Sequence, residues 1–95
     1  LPVSPEPIGA VAFFAVQPNP AQDVFWVNFS LQEKADICVE IRDVAGKSIE
    51  TQRLESLIVG AHQLEFNAAT WQPGVYFVAI RDGNGAVLTR KMVKF

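Results

Sequence analysis

Apolar residues recur at every second position through much of this chain, and only an extended strand with one buried face satisfies that period. Ile37, Val39 and Ile41 alternate with Cys38, Glu40 and Arg42. Phe25, Val27 and Phe29 alternate with Trp26 and Asn28, and His62, Leu64 and Phe66 alternate with Gln63 and Glu65. No window carries a 3.6-residue period, so helices are not expected. Gly9 to Val16 reads as a first short strand, stopped by Pro18-Asn19-Pro20. Val24 to Leu31 follows. The Ile37–Arg42 strand then turns through Asp43-Val44-Ala45-Gly46-Lys47 into Ser48 to Arg53. Asp43 suits the start of that turn and Gly46 the position where φ is positive. The strand beginning at His62 is followed by a loop over Asn67 to Gln72 holding Trp71. Pro73-Gly74 precedes a closing hairpin, Val75 to Arg81 and Ala86 to Phe95, turned by Asp82-Gly83-Asn84-Gly85. About seven short strands with turns every ~8 to 12 residues predict an all-β, antiparallel, immunoglobulin-like sandwich, without the Cys-Trp-Cys signature of true immunoglobulin domains.

Ninety-five residues suffice for one domain with a modest core. Leu1 to Ala10 carries three prolines and reads as an extended linker, leaving 11–95 as the domain. A single cysteine, Cys38, rules out an internal disulfide framework. No apolar run approaches the ~20 residues that span a bilayer, so no transmembrane segment is expected. The net charge is −2, unevenly placed. Arg90, Lys91 and Lys94 lie in the last six residues, while residues 1–89 hold five basic against ten acidic side chains. No broad basic face exists to neutralise phosphates, which argues against a nucleic-acid partner. The last strand does not alternate cleanly: Leu88 and Met92 share a side with Arg90, and Val93 shares the other with Lys91. A bulge or an exposed edge accounts for that. A strand running to the final residue with cations in it is expected to be read by another molecule.

Catalytic chemistry finds no constellation. His62 has no serine, cysteine or carboxylate in a motif with it and reads as a half-buried strand-end side chain. Cys38 points with Asp36, Glu40 and Arg42, away from the inferred core, and reads as a small strand residue rather than a reactive thiol. Asp82-Gly83-Asn84-Gly85 resembles the start of a calcium loop but lacks the later oxygen ligands, and turn chemistry explains it. Asn28-Phe29-Ser30 matches a glycosylation triplet within a strand. No metal site, cofactor or enzymatic activity is expected. Trp26 and Trp71 are the aromatic candidates for stacking on a ligand, with packing as the competing role. Trp71, in its loop, is the better placed of the two.

The order of the motifs resembles the C-terminal sorting domains of the type IX (Por) secretion system. Val16-Gln17-Pro18-Asn19-Pro20-Ala21-Gln22-Asp23-Val24 is similar to the opening of that family, and Val27-Asn28-Phe29-Ser30-Leu31 to its next strand. Ile41-Arg42-Asp43-Val44-Ala45-Gly46-Lys47 resembles the central hairpin, and Gly60-Ala61-His62-Gln63-Leu64 the strand start after it. Pro73-Gly74-Val75-Tyr76-Phe77-Val78 resembles the penultimate strand, and Thr89-Arg90-Lys91-Met92-Val93-Lys94 the terminal basic–apolar segment. Phe95 is a departure, since the family often ends on lysine. The resemblance covers about residues 14 to 95.

The resemblance implies an address label. A cargo fused to the domain enters the periplasm by an amino-terminal signal and is directed through an outer-membrane translocon. A sortase-like peptidase on the cell surface then cuts the label off, here in or before the Leu1–Ala10 linker. The final location is the surface of a Bacteroidetes-type cell or the medium. Arg90, Lys91, Met92, Val93, Lys94 and Phe95 are the expected recognition segment. Strand addition along an exposed edge is one way to read it, with Lys91 and Lys94 steering the encounter. Pro18, Asn19, Pro20, Asp43, Gly46, Pro73 and Gly74 are expected to form structural turns. The alternative is a carbohydrate-binding or spacer module of a secreted hydrolase, using Trp71.

Overall fold

In the computed structural model, which describes residues 9–95, the chain forms seven strands in two antiparallel sheets. The strands are β1 (Val11–Gln17), β2 (Val24–Leu31), β3 (Ala35–Asp43), β4 (Ser48–Leu57), β5 (Gly60–Asn67), β6 (Gly74–Asp82) and β7 (Val87–Lys94). One sheet has the order β1-β2-β5 and the other β4-β3-β6-β7. Each of the alternating segments is a strand with its apolar set turned inward. Phe25, Val27, Phe29 and Leu31 are buried from β2, Ile37, Val39 and Ile41 from β3, and Tyr76, Val78 and Ile80 from β6. Phe25 and Phe66 stack across the β2–β5 pair at 5.2 Å between ring centres. Among the described residues no helix is long and apolar enough to cross a membrane.

Sequence boundaries shifted in two places. β4 continues to Leu57 rather than ending at Arg53. It is an edge strand over a narrower facing sheet, none of its residues is fully buried, and its alternation is weak. Gly9 and Ala10 form a turn rather than strand, and Ala10 is buried in the folded body instead of lying in a free linker. The remainder of that linker, residues 1–8, lies outside the described residues. The irregular last strand is an edge, not a bulge: β7 pairs with β6 in unbroken register from Gly74–Lys94 to Arg81–Val87.

Tyr76, near the start of β6, donates its hydroxyl hydrogen bond to the Gln72 carbonyl at 2.5 Å. That is the tyrosine-corner arrangement of immunoglobulin-like sandwiches. Trp71 packs edge-on against Phe25 at 5.6 Å and lies tilted against Tyr76 at 5.1 Å. The loop after β5 thus seals one end of the core with an aromatic cluster.

The two hairpins of the four-stranded sheet are built on one plan. Ile41-Arg42-Asp43-x-x-Gly46 and Ile80-Arg81-Asp82-x-x-Gly85 repeat the same residues at the same spacing. In each, the aspartate N–H donates to the carbonyl four residues on, Lys47 or Ala86, at 3.0 Å. The aspartate Oδ1 accepts N–H bonds from residues two and four ahead, at 2.9 to 3.0 Å. The glycines have φ of 85° and 89°. A β-carbon at Gly46 would meet nothing within 4 Å, so the requirement there is purely conformational. Gly46→Val is therefore expected to cost about 1–2 kcal/mol, the left-handed penalty of a side-chain-bearing residue. Thermal unfolding checks this, and an unchanged melting temperature contradicts it.

Candidate functional site

The Pro-Asn-Pro turn and the basic terminal segment, 70 and more residues apart in sequence, meet at one edge of the sandwich. β7 has a free edge because only β6 flanks it. The chain between β1 and β2 crosses from the three-stranded sheet and covers part of that edge. Asn19 Nδ2 donates to the Lys91 carbonyl at 3.0 Å, and the Val93 N–H donates to Asn19 Oδ1 at 3.0 Å. One carboxamide, with a donor and an acceptor on one plane, thus imitates a neighbouring strand's peptide group. Ala21 continues the pairing: its N–H donates to the Val93 carbonyl at 2.8 Å, and its own carbonyl accepts the Phe95 N–H at 2.9 Å. Ala21 bridges Lys94 in parallel orientation and is fully buried. Strand addition along Lys91–Phe95 is therefore blocked in this fold, because those outward main-chain groups already have partners.

Side chains of the terminal segment divide between two faces. Met92 is buried in the core, and Lys94 is only 7% exposed on the same inward side. The Lys94 ammonium donates to the Phe95 carbonyl at 2.9 Å. Lys94 was expected to steer an encounter from solvent, yet its stem lies along the sandwich rim and its charge is turned to the chain end. The Arg90 guanidinium sits 5.3 Å from the centre of the Phe14 ring on β1, linking the two sheets. Lys91 and Phe95 point away from the core and are exposed, Phe95 at 63%, and Val93 is half-buried between them. Beside them on β6 stand Phe77, paired with Lys91, and Val75, paired with Val93. Among the described residues the outward corner is thus an apolar patch with Lys91 as its one cation outside an ion pair; Arg42, across from Phe77, is bonded to Glu40.

A second clamp fixes where the chain enters the domain. The Ala10 N–H donates to Asp82 Oδ2 at 3.0 Å, and the Ala10 carbonyl accepts the Gln32 N–H at 2.9 Å. Gln32 Nε2 also donates to the Gly9 carbonyl at 2.9 Å. Asp82 is 5% exposed and Gly9 lies hard against it, where a β-carbon would collide with Oδ2. Burial pushes the Asp82 carboxyl up, but main-chain N–H bonds from Ala10, Ala86, Asn84 and Gly85 together hold it below its ordinary value. Elsewhere Glu40 is held down by its hydrogen bond with Arg42 at 2.8 Å, a solvent-screened pair that contributes little.

Of the other expected site residues, Pro18 and Pro20 flank Asn19, and Pro73 and Gly74 lead into β6, where Gly74 pairs with Lys94. Asp43 and Gly46 shape the far hairpin. Trp71 is half-buried, with Phe25 and Tyr76 on its ring. His62 stacks on Phe29 at 5.4 Å, and its Nε2 lies 2.7 Å from the Ile58 carbonyl. No three metal-ligating side chains stand together among the described residues. The Asn19 contact had no local signature.

The family model for the secretion system C-terminal sorting domain matches residues 15–94. No curated protein matches the chain. The chain belongs to this sorting-domain family of type IX secretion.

Two expectations follow from these clamps. Asn19→Ala removes both bonds to β7 and should cost about 1–2 kcal/mol. Hydrogen exchange should show the Val93 amide losing protection while the amides of β3 keep theirs. Asp82→Ala strips a buried acceptor from several N–H groups and should cost roughly 2 kcal/mol or more. A carboxylate whose folded pKa lies below its unfolded value stabilises in full above the unfolded value, 3.8 here, and loses this as pH falls through the folded one. Stability of the parent protein should therefore fall below about pH 4 more steeply than that of Asp82→Ala in parallel urea titrations.

Proposed function

We propose that this sorting domain is read by the type IX translocon through the outward side chains of its closed terminal corner, Lys91, Val93 and Phe95 beside Val75 and Phe77. The observation that carries the reading is the occupied edge. With Asn19 and Ala21 bonded to the main chain of Lys91–Phe95, a receptor meets side chains rather than a free ladder. An apolar patch whose one unpaired cation among the described residues is Lys91 suits a receptor surface that buries the rings and supplies an acidic or carbonyl partner to Lys91. Met92 and Lys94 support the corner from the inner side, and Arg90 ties it to β1. The domain acts as a recognition module without catalysis. It carries a covalently fused cargo from the periplasm to the cell surface or the medium.

Release of the cargo requires a cut by a surface peptidase of the sortase-like kind. The clamped pair Gly9 and Ala10 belongs to the folded body, which favours a cut on the amino-terminal side of Gly9. The rival role as a carbohydrate-binding module through Trp71 has little support, because that ring packs on Phe25 and Tyr76.

The test is a fluorescent cargo fused to the domain in a bacterium with the secretion system. Lys91→Ala with Phe95→Ala should melt within a few degrees of the parent, since both side chains are exposed and surface changes usually fall within ~0.5 kcal/mol. It should leave the cargo in the periplasm. Full surface delivery by that stable variant would place the signal elsewhere in the domain.

A further inference from the structure

The outer face of the three-stranded sheet is unlike that of its partner. The four-stranded sheet turns Asp36, Glu40, Arg42, Arg53, Arg81 and Lys91 to its outer side, an ordinary charged surface. Across β1-β2-β5 the outward rows are Gln17–Trp26–Glu65, Ala15–Asn28–Gln63 and Phe13–Ser30–Ala61. Glu65 is their only formal charge. Asn28 links the three strands with its carboxamide: Gln63 Nε2 donates to Asn28 Oδ1 at 2.8 Å, and Asn28 Nδ2 donates to Gln17 Oε1 at 3.4 Å. The ladder leaves Gln17 Nε2 and Gln63 Oε1 without partners among the described residues, so a donor and an acceptor face outward at its two ends. Half-buried Trp26 lies on one side of the ladder. Phe13, 55% exposed, lies on the other.

We infer that this face binds a neutral polysaccharide chain, with Trp26 and Phe13 stacking on sugar rings and Gln17, Asn28 and Gln63 bonding hydroxyls. Planar rings offer an apolar surface to the C–H side of a pyranose, and carboxamides match hydroxyls because both donate and accept. Among the described residues the three rows carry no cation, and with Glu65 present this selects against uronic-acid or sulfated chains. Phe13 and Trp26 are two rows apart, about 14 Å along the strands. That distance is spanned by consecutive units of one chain and not by a monosaccharide. An open sheet face also fits a polymer better than a small ligand, which prefers a concavity. The site is separate from Trp71 and from the terminal corner, so it does not depend on how the domain is exported.

The experiment is affinity electrophoresis of the domain in native gels containing hydroxyethylcellulose, galactomannan or polygalacturonate. Retardation in a neutral gel and none in polygalacturonate is expected. Trp26→Ala should weaken the retardation about tenfold, the effect of losing one stacking ring. Because Trp26 is half-buried, the exposed variants Phe13→Ala and Gln17→Ala accompany it. They should weaken binding several-fold with an unchanged melting curve. Mobility equal to that in a plain gel for both neutral polymers would overturn the assignment. So would retardation by polygalacturonate alone, or retardation that Phe13→Ala and Gln17→Ala leave intact.

Discussion

A single turn closes the β1–β7 side of the sandwich by bonding the edge of the facing sheet. The two sheets are held face to face by apolar packing, which is strong but does not choose a direction. Direction comes from the chain between β1 and β2, which leaves one sheet, bonds the outer edge of the other, and returns. Asn19 and Ala21 between them engage Lys91, Val93 and Phe95. Proline on both sides of Asn19 contributes no competing N–H, so the side-chain amide takes the place a strand would take. On the opposite side, among the described residues, β4 and β5 have no comparable strap; the Gln52 amide reaches the Glu65 carbonyl at 3.3 Å. The sandwich is thus fastened on one flank and looser on the other. The fastened flank carries the basic terminal segment.

Much of the architecture was legible in the sequence because its period is local. Phe25-x-Val27-x-Phe29 and Ile37-x-Val39-x-Ile41 could not be read as anything but strands, and each buries the side expected of it. The turn at Asp43–Lys47 was equally plain, since aspartate and glycine each do one job at one position. What stayed hidden depends on distance. Nothing near Asn19 in sequence says that its amide will bond Val93, and nothing near Ala10 announces Asp82. Lys94 misled for a different reason. A lysine is read as solvent-facing, whereas this one lies at the end of an inward row begun by Leu88 and Met92, with a stem long enough to bring its charge to the rim. The clean β6–β7 register shows that the terminal pattern was an edge effect and not a bulge.

The shared plan of the two hairpins shows how one local solution can carry two loads. At Asp43 the carboxylate organises its turn and is partly open to solvent. At Asp82 the same turn lies against Gly9, and the second oxygen reaches the Ala10 N–H. An extra bond and a buried setting convert turn chemistry into a lock between the first strand's approach and the last hairpin. Residues of identical type at identical spacing therefore differ in energetic weight because of what the fold brings next to them.

The strap between Asn19 and β7 also sets an order of events during biosynthesis. A ribosome delivers residues 11–86 before any of β7 exists, and the partners of Asn19 lie 72 and 74 positions downstream. Until those positions emerge, Asn19 and Ala21 have nothing to hold, and Met92 is missing from the core. A cargo whose translation stops short of β7 cannot assemble the closed corner, however well its upstream portion folds. The closed corner therefore forms only in molecules that contain β7.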